Sequence, residues 1–406
     1  MSPTLGVTNR SLEEDASLNR DVRLASQPVS AAAARRRRRI LFFNTWSTAH
    51  GGSATSLIDI TSNLNAARFE PLVLCPEPGD LTRRLEEAGV RVVIHPLSSL
   101  RAGEAWSFAA ETLWYARWLR RERIALVHGN TGGSRRSVVL ASWLCGVPYV
   151  QHVRNPAKDV RNGFAFRVAA RIVANSDNIA TPLRSDPLFR DKTMTVYNAV
   201  DLSRYEQTDT RRAQLGSTTA PVIGFVGQLV PRKGLDVLIR AMPEILRTCS
   251  DALLVVVGCA PPGEPDYERE CRQLAADLGI DQHVHFTGYQ RDVPAWMRTF
   301  TVFALPTRSE PFGKVVIEAM AAGCPVVVTA VGGIPEIVQG PELGTLVPPD
   351  APERIAQEVL RYLSDRDLAG RVGERAAQHV RERFSMRTMI GQLEQIYESL
   401  IATSPR

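Results

Sequence analysis

Short apolar runs alternate along the chain with longer segments whose apolar residues recur at helical spacing. In the first half the runs are ILFFNTW, EPLVLCP, VRVVIHP, IALVHGN, PYVQHV and RIVANS. Nearly continuous runs of this kind are typical of parallel strands covered on both faces. The first connection is a glycine turn followed by Leu57, Ile58, Ile60 and Leu64 near helical spacing. The pattern predicts a doubly wound α/β domain.

The alternation restarts in the second half of the chain. Its strand candidates are PVIGFVGQLV, ALLVVVG, VHFTG, VFALP, PVVVTA and GTLVPP, and helices are predicted from Leu235, near 267–278 and after Phe312. The predicted fold class is α/β, with two doubly wound Rossmann-like domains joined near 201–220. Open parallel sheets bind ligands beyond the carboxyl ends of their strands, so we expect the function to lie in an interdomain cleft.

Changes of pattern set the predicted domain boundaries. Polar residues without periodicity predict a disordered basic arm over 1–38, and the first alternating region predicts an N-terminal domain over 39–205. The second alternating region predicts a domain over 206–384, which is followed by a C-terminal helix over 385–406.

Length and composition are those of a two-domain globular protein: 406 residues, 44% hydrophobic and 23% charged. No apolar run approaches the roughly 18 residues that span a bilayer, and the N-terminus lacks the apolar stretch of a signal peptide. The six cysteines form no CxxC pair and no zinc-ligand cluster, as expected in a reducing compartment. We therefore expect a cytoplasmic protein.

The net positive charge of the protein comes from the first half of the chain. Residues 1–200 hold 27 Lys and Arg against 17 Asp and Glu, a net of +10, so residues 201–406 carry −4 of the total +6. A basic half favours anionic partners, but no aromatic platform or recognised module indicates nucleic acid. For Arg35–Arg39 a solvated edge before the first strand is the favoured interpretation. Residues 107–124 are the candidate membrane-facing helix, although an ordinary packing helix is favoured there because the fold requires one.

Two carboxylates in the segment SEPFGKVVIEAMAAG carry the candidate chemistry. Glu310 lies in the loop at the carboxyl end of the strand VFALP, and Glu318 lies in the second turn of the helix that follows. The first-turn amides of Gly313, Lys314 and Val315 have no partners within that helix and form an anion site. A carboxylate beside a bound anion is favourable only if it contacts hydroxyls, so the segment predicts phosphate plus polyol. The simpler alternative for Glu318 is a surface residue on an amphipathic helix.

Two further glycine turns follow strands. The segment GFVGQLVPRKG ends in Lys233, whose ammonium can reach a diphosphate. In HGGSATS, the backbone at Gly51 and Gly52 can approach a phosphate or sugar. This second turn lacks the GxxxxGK[ST] pattern of a Walker loop, and such turns are mostly structural.

Several segments together resemble one family. GFVGQLVPRKG, FTGYQRDVPAWM, LPTRSEPFGKVVIEAMAAGCPVVVTAVGGIPEIV, VANSD and VYNAVDLSRY are similar, in order, to the signatures of the retaining GT-B glycosyltransferases of family 4, the glycosyl transferases group 1. The resemblance covers roughly residues 40 to 400 and is stronger in the second half. It implies an acceptor-side N-terminal domain, a nucleotide-sugar-binding C-terminal domain and a C-terminal helix that packs back on the first.

The resemblance also implies roles for individual residues. Glu310 would contact the donor sugar next to the reacting carbon, and Glu318 would bind the ribose. Lys233 would neutralise the leaving phosphate, while Gln228 stands where the family often has an arginine. His152, in YVQHVRN, matches a histidine that touches the donor sugar, although a lone histidine is more often structural.

The remaining donor-site residues follow from the same resemblance. The turn after Phe312 would hold the diphosphate through the amides of Gly313, Lys314 and Val315. Tyr289 would flank the nucleotide base, although an aromatic residue there could equally be packing.

The implied activity is retaining transfer of a sugar from a nucleotide-diphosphate donor to an envelope polysaccharide, a glycolipid or a similar acceptor. We expect no cofactor and no metal, and the partners would be the donor, a carbohydrate or lipid-linked acceptor and the anionic inner face of the membrane. The alternative is a GT-B sugar-nucleotide-binding protein or epimerase without transferase activity.

Overall fold

The computed structural model describes residues 37–45, 52–95, 105–130, 135–156, 163–206, 211–215 and 219–403. The elements of the first half are β1 (Arg38–Phe43), α1 (Gly52–Asn63), β2 (Phe69–Cys75), α2 (Asp80–Glu87), β3 (Arg91–Ile94), α3 (Ala105–Arg121), β4 (Ile124–Gly129), α4 (Arg136–Leu144), β5 (Tyr149–Val153), α5 (Phe164–Val168), β6 (Arg171–Ala174), α6 (Asp177–Arg184) and β7 (Thr193–Thr195).

The second half begins after two short 3₁₀ turns. Its elements are β8 (Val222–Val226), α7 (Leu235–Thr248), β9 (Leu253–Val257), α8 (Asp266–Asp277), β10 (Val284–Gly288), α9 (Val293–Met297), β11 (Val302–Leu305), α10 (Lys314–Ala321), β12 (Val326–Thr329), α11 (Ile334–Ile337), β13 (Thr345–Val347), α12 (Pro352–Ser364), α13 (Arg366–Arg383) and α14 (Met386–Thr403).

The described strands form two parallel sheets, so the predicted α/β class with two doubly wound units is confirmed. The strand order is β3-β2-β1-β4-β5-β6-β7 in the first sheet and β10-β9-β8-β11-β12-β13 in the second. In each sheet the order reverses direction at one point, between β1 and β4 and between β8 and β11. Ligands of such sheets bind at this switch point, beyond the carboxyl ends of the strands.

Most predicted strands coincide with observed ones to within a few residues, because buried parallel strands are continuous apolar runs. The pattern missed β7, whose three residues Thr-Met-Thr are too few to show a period. It also placed the basic arm over 1–38, whereas β1 begins at Arg38. Arg39 belongs to this strand and pairs with Glu70 at 3.1 Å and Glu122 at 3.0 Å. Residues 1–36, with most of the arm, lie outside the described part of the chain.

Each sheet is covered on both faces by apolar side chains. In the first domain, Phe42 and Val150 face one core cluster, while Leu41 and Val127 face the other. The second domain has a continuous core that includes Phe225, Phe303 and other residues of the sheet. Since apolar burial is the main favourable term in folding, each sheet has its own stabilising core.

The chain passes between the domains at two adjacent points. Val200 forms a parallel bridge with Ser385. Its N–H donates to the carbonyl of Phe384 at 3.0 Å, and its own carbonyl accepts from the N–H of Met386 at 3.2 Å. After this crossing, α14 lies on the first domain although it follows the second in sequence.

Helix α14 covers one face of the first sheet. Leu393 and Tyr397 are fully buried in the same cluster as Phe42. Glu394 of this helix accepts the backbone N–H of Asn65 at 2.7 Å and the guanidinium of Arg68 at 3.1 Å. Apolar burial and a satisfied carboxylate together attach the helix to the first domain.

A second contact joins the domains at the N-terminus of α6. Glu336, from the segment GGIPE of the second domain, accepts the backbone N–H groups of Asp177 at 2.7 Å and Asn178 at 2.6 Å. The hydroxyl of Ser176 donates to the carbonyl of Pro311 at 2.8 Å and accepts from the N–H of Ile179. The free amides of a helix start favour a carboxylate, so Glu336 stabilises the arrangement in which the domains touch here, which we call the closed arrangement.

We expect Glu336→Gln to weaken this closed arrangement by about 1 kcal/mol, because an amide lacks the charge that the helix terminus favours. That change alters the ratio of open to closed molecules about fivefold. An interdomain distance distribution measured by double electron–electron resonance should therefore gain a longer component. Glu374→Gln, an exposed carboxylate on α13, is the control. Identical distributions for wild type and Glu336→Gln would contradict this role for Glu336.

Candidate functional site

Two loops at the switch point of the second sheet are held against each other. Gly234, after β8, has φ +71°, and a side chain there would lie 2.0 Å from the carbonyl oxygen of Pro306, which follows β11. Arg308 binds Asp236 through two N–H groups, at 2.9 and 2.7 Å, and its backbone N–H donates to Arg232 at 2.7 Å. The close backbone approach requires glycine, and the bidentate ion pair fixes the register of the loops.

This clamp brings Lys233 and Glu310 into a direct ion pair. Lys233 ends the short 3₁₀ turn Pro231–Lys233, and Glu310 follows the strand β11. Both side chains are nearly buried, at 10% and 13% exposure. The backbone carbonyl of Glu310 also accepts from the N–H of Gly333 at 3.1 Å. The sequence analysis predicted both residues to lie in the cleft but did not predict the ion pair between them.

The N-terminus of α10 lies beside this pair. Gly313 adopts φ +103°, which favours glycine, and its α-carbon faces the Glu310 side chain. Among the described residues, the amides of Gly313, Lys314 and Val315 have no hydrogen-bond partner. Three free N–H groups at the positive end of a helix can bind an anion. The side chain of Phe312 points elsewhere: it packs against Tyr197 and Phe384.

Glu318 is one turn further along the same helix and is half-buried. No hydrogen bond or ion pair to its carboxylate occurs within the described ranges. Burial raises the pKa of Glu318 above its ordinary value, the Lys314 ammonium lowers it and the Asp59 carboxylate raises it. A half-buried carboxylate without a partner is costly for the fold, and hydroxyl donors of a ligand would satisfy it.

The Lys314 side chain does not face the anion site. Its Nζ lies 2.5 Å from Oδ2 of Asp59 on α1, so the two residues form an ion pair across the domain boundary. Both side chains are largely shielded from solvent, at 13% and 20% exposure. Only the backbone N–H of Lys314 is therefore placed to act on an anion.

Of the other predicted donor-site residues, three lie in the described part of the chain and one does not. Gln228 lies two residues after the end of β8 and is half-exposed at the switch point. Tyr289 follows β10 with its ring 59% exposed. Gly52 is the first residue of α1, with open space around its α-carbon. Gly51 lies outside the described residues.

His152 lies one residue before the end of β5 and is buried. Its Nδ1 is 3.2 Å from Nε2 of His128 and 3.4 Å from Nη2 of Arg154. Its Nε2 is buried and has no hydrogen-bond partner in the part of the chain that the structure describes. Burial, then the positive charge of Arg154, then His128 hold the pKa of His152 well below its ordinary value. The ring is therefore neutral at physiological pH.

Several residues at this edge were missed by the sequence analysis. Asp59 and Glu336 look like ordinary surface carboxylates in the sequence, because their partners lie in the other domain. Arg154 could have been found, since it directly follows the buried strand β5 and so stands at a carboxyl strand end. Its buried guanidinium binds Asn198 Oδ1 at 2.8 Å and Asn130 Oδ1 at 3.0 Å.

The arrangement can bind a phosphorylated polyol. Free amides and Lys233 provide positive potential, while Glu310 and Glu318 provide acceptors for hydroxyl groups. Within the described ranges, no group of three or more His, Cys, Asp or Glu side chains has the geometry of a metal site.

Two family models match the chain. The model described as Glycosyltransferase Family 4 covers residues 50–204, and the model described as Glycosyl transferases group 1 covers residues 206–379. The first range includes β2 to β7 of the first sheet, and the second includes every strand of the second sheet.

Individual proteins agree with this assignment. A D-inositol 3-phosphate glycosyltransferase of Streptomyces scabiei is 35% identical over 67% of this chain and 67% of its own length. A GDP-mannose-dependent α-(1-6)-phosphatidylinositol monomannoside mannosyltransferase of Mycobacterium tuberculosis is 35% identical over 48% of this chain, which spans only about half (52%) of that relative. The crystal structure of Anabaena Alr3699/HepE in complex with UDP superposes with a TM-score of 0.77, covering 89% of this chain and all of that one at 25% identity.

Both halves of the fold, the paired carboxylates and the similarity over two thirds of a relative lead to one conclusion: this chain belongs to the family 4, or group 1, glycosyltransferases.

Proposed function

We propose that the protein is a retaining glycosyltransferase that moves a sugar from a nucleoside-diphosphate donor to an envelope polysaccharide, a glycolipid or a similar acceptor. The observation that carries this proposal is the junction of three groups at one sheet edge. These are the free amides at the start of α10, the Lys233–Glu310 pair and the unpartnered carboxylate of Glu318. Diphosphate, sugar and ribose each have a matching group there.

Charge development explains why transfer would be fast at this edge. As the bond between the anomeric carbon and the phosphate oxygen breaks, positive charge grows on the sugar and negative charge on the leaving diphosphate. Lys233 and the amides of Gly313, Lys314 and Val315 stabilise that negative charge. The acceptor hydroxyl oxygen forms the new bond on the same face, and its proton passes to the leaving phosphate. This route retains the anomeric configuration.

The carboxylates orient the donor. Glu310 accepts hydrogen bonds from the sugar hydroxyls, and donor binding gives Lys233 a second anion to contact. Glu318 accepts from the ribose hydroxyls, which satisfies a group that is otherwise unpartnered. His152 touches the sugar as a neutral imidazole. Gln228 leaves the diphosphate with one positive charge fewer than an arginine would provide.

We propose that the donor site works without a metal or an organic cofactor, because a lysine and a helix terminus already supply positive potential at the diphosphate. The names of similar proteins suggest which donors to test. One relative is described as GDP-mannose-dependent and one structural neighbour was crystallised with UDP. GDP-mannose and UDP both contain a nucleoside diphosphate, the group that the site fits.

The acceptor proposal includes docking at an anionic membrane surface. Among the described residues, no helix is long and apolar enough to cross a bilayer. Helix α3 packs inward through Tyr115 and Leu119 but exposes Trp106 (87%) and Leu113 (52%), and its last turn ends in Arg120 and Arg121. Aromatic and basic side chains on one face fit the headgroup region of an anionic bilayer.

The first experiment screens UDP-, GDP- and ADP-sugars by thermal shift and by slow donor hydrolysis, with and without EDTA. We expect one nucleotide to stabilise the protein and its sugar to be released with retained configuration, read by ¹H NMR before mutarotation. Glu310→Gln should lower hydrolysis roughly hundredfold, because the group that orients the sugar is lost. It should keep most of the thermal shift with the nucleoside diphosphate.

Glu374→Gln on α13 is the control and should behave as wild type. Nucleotide binding without any turnover would contradict the transferase proposal and favour a sugar-nucleotide-binding protein. Loss of activity in EDTA would overturn the metal-free proposal, and an inverted product would overturn retention.

Glu318→Gln tests the ribose contact and has effects of opposite sign on the fold and on binding. Removing a half-buried, unpaired carboxylate should raise the melting temperature of the ligand-free protein at pH 7.5. Two charge-assisted hydrogen bonds would be lost from the complex, so Kd for the nucleoside diphosphate should rise about tenfold or more.

The pH dependence of the same measurement has a defined sign. Since the pKa of Glu318 is raised, protonation begins at a higher pH than for an ordinary glutamate. Wild-type affinity should therefore fall as pH decreases from 7.5 towards 5, and this fall should be smaller in Glu318→Gln. Equal Kd values for the two proteins at pH 7.5 would remove Glu318 from the site.

Co-sedimentation with phosphatidylglycerol and phosphatidylcholine vesicles tests the membrane proposal. We expect binding to the anionic vesicles alone, and weaker binding at high salt because charge attraction is screened. The double substitution Trp106→Ser, Leu113→Ser should reduce it, whereas Leu188→Ser, which changes an exposed apolar residue elsewhere in the domain, should not. Equal recovery with both lipids would contradict docking.

A further inference from the structure

A chain of polar contacts connects the C-terminal helix to His152. The hydroxyl of Tyr397 on α14 lies 2.7 Å from Nδ1 of His128, at the end of β4. Nε2 of His128 lies 3.2 Å from Nδ1 of His152 on the neighbouring strand β5. All three side chains are buried, with exposures of 1% or less. The contacts therefore form without competition from solvent.

The imidazoles of His128 and His152 are both neutral. Burial, together with the positive charge of Arg154, lowers the pKa of His128 to about 3 and holds that of His152 well below its ordinary value. A neutral imidazole has one N–H and one lone pair. The hydrogens in the two contacts, Tyr397 to His128 and His128 to His152, can therefore be donated in either of two opposite directions.

Arg154 decides between these directions. Its Nη2 lies 3.4 Å from Nδ1 of His152, and a guanidinium can donate but not accept. Nδ1 of His152 must then carry the lone pair. The same nitrogen accepts from Nε2–H of His128, so Nδ1 of His128 accepts the proton of the Tyr397 hydroxyl.

Arg154 is itself fixed by its surroundings. Its Nε donates to the carbonyl of Asn130 at 3.2 Å, and its two terminal nitrogens donate to the Asn198 and Asn130 side chains. Arg154 as a whole is 6% exposed. With these bonds in place it has little freedom to turn away from His152.

The last hydrogen in this series of contacts is the one on Nε2 of His152. If Nδ1 of His152 is an acceptor, Nε2 carries the hydrogen, and that Nε2 is buried without a partner. An unpaired N–H is unfavourable in a buried position, and an oxygen atom of a ligand would satisfy it.

We propose that Tyr397, His128 and Arg154 are positioning residues that fix His152 as its Nε2–H tautomer, so that it donates a hydrogen bond to an oxygen of the donor sugar. The contact with sugar rests on the proposed function, whereas the tautomer follows from the protein alone. The C-terminal helix thereby acts on the site from behind the sheet, through two strands.

The test is long-range ¹H–¹⁵N correlation NMR on the full-length protein with ¹⁵N-labelled histidine. The chain has seven histidines, and His152→Gln and His128→Gln assign the two signals of interest. In the ligand-free wild type we expect both rings as Nε2–H tautomers. UDP-glucose and GDP-mannose are then added in turn, with UDP and GDP as the matched ligands without sugar.

We expect the His152 Nε2–H signal to shift with one sugar nucleotide and not with the corresponding nucleoside diphosphate. Tyr397→Phe should shift the His128 signals and lower kcat about fivefold, the equivalent of one lost hydrogen bond of about 1 kcal/mol. Its Kd for the nucleoside diphosphate should be unchanged. The control is Tyr362→Phe, which removes a buried hydroxyl that contacts Thr345 at 3.0 Å in the second domain.

The outcomes separate the two proposals. An Nδ1–H tautomer of His152 in the wild type would contradict the proposal that Tyr397, His128 and Arg154 fix the Nε2–H tautomer. This measurement does not depend on the folding of any variant. Unchanged histidine signals and kcat in Tyr397→Phe overturn the role of Tyr397. An Nε2–H tautomer that responds equally to nucleotide with and without sugar overturns the sugar contact. Absence of any nucleotide response contradicts the proposed function while leaving the tautomer result intact.

Discussion

The double crossing of the chain at Val200 and Ser385 is the constraint on which the rest of the molecule depends. Two backbone segments meet there through hydrogen bonds of 3.0 and 3.2 Å, and the last helix then returns to the first domain. A connection at one place would still allow the second domain to move relative to the first, so further contacts define its position. Glu336 at the start of α6 and Lys314 opposite Asp59 make those contacts, and both lie at the carboxyl edges of the sheets.

Charge organises the edge that the crossing creates. The Lys233–Glu310 and Lys314–Asp59 pairs are largely shielded from solvent, and breaking either would leave a poorly solvated charge. Glu318 differs because it has no partner, so the fold carries a cost there that a bound polyol would relieve. Across the cleft, the Arg154 guanidinium contacts Asn130, Asn198 and His152, so its partners are neutral groups and not carboxylates.

The local pattern was sufficient for most of the fold. Continuous apolar runs located every strand except β7, and glycines located the ends of α10, which begins after Gly313 and stops before Gly323. The strand-end rule also selected Glu310 and Lys233, because the carboxyl end of a parallel strand is visible in the sequence. It could not pair them: the contact depends on Gly234 passing close to Pro306, 72 residues away in the chain.

The sequence by itself determined the α/β class, the two sheets and the side chains that stand at their carboxyl edges. These features follow from periodicity and from short motifs, both of which are local. The tertiary structure decided which of those side chains touch: that the Lys314 ammonium reaches Asp59, that Glu336 caps α6, and that Tyr397 stands behind His128 and His152. The residues in these contacts are far apart in the sequence: His128 and His152 are separated by 24 positions, and Tyr397 and His128 by more than 250. No local pattern specifies such a pairing.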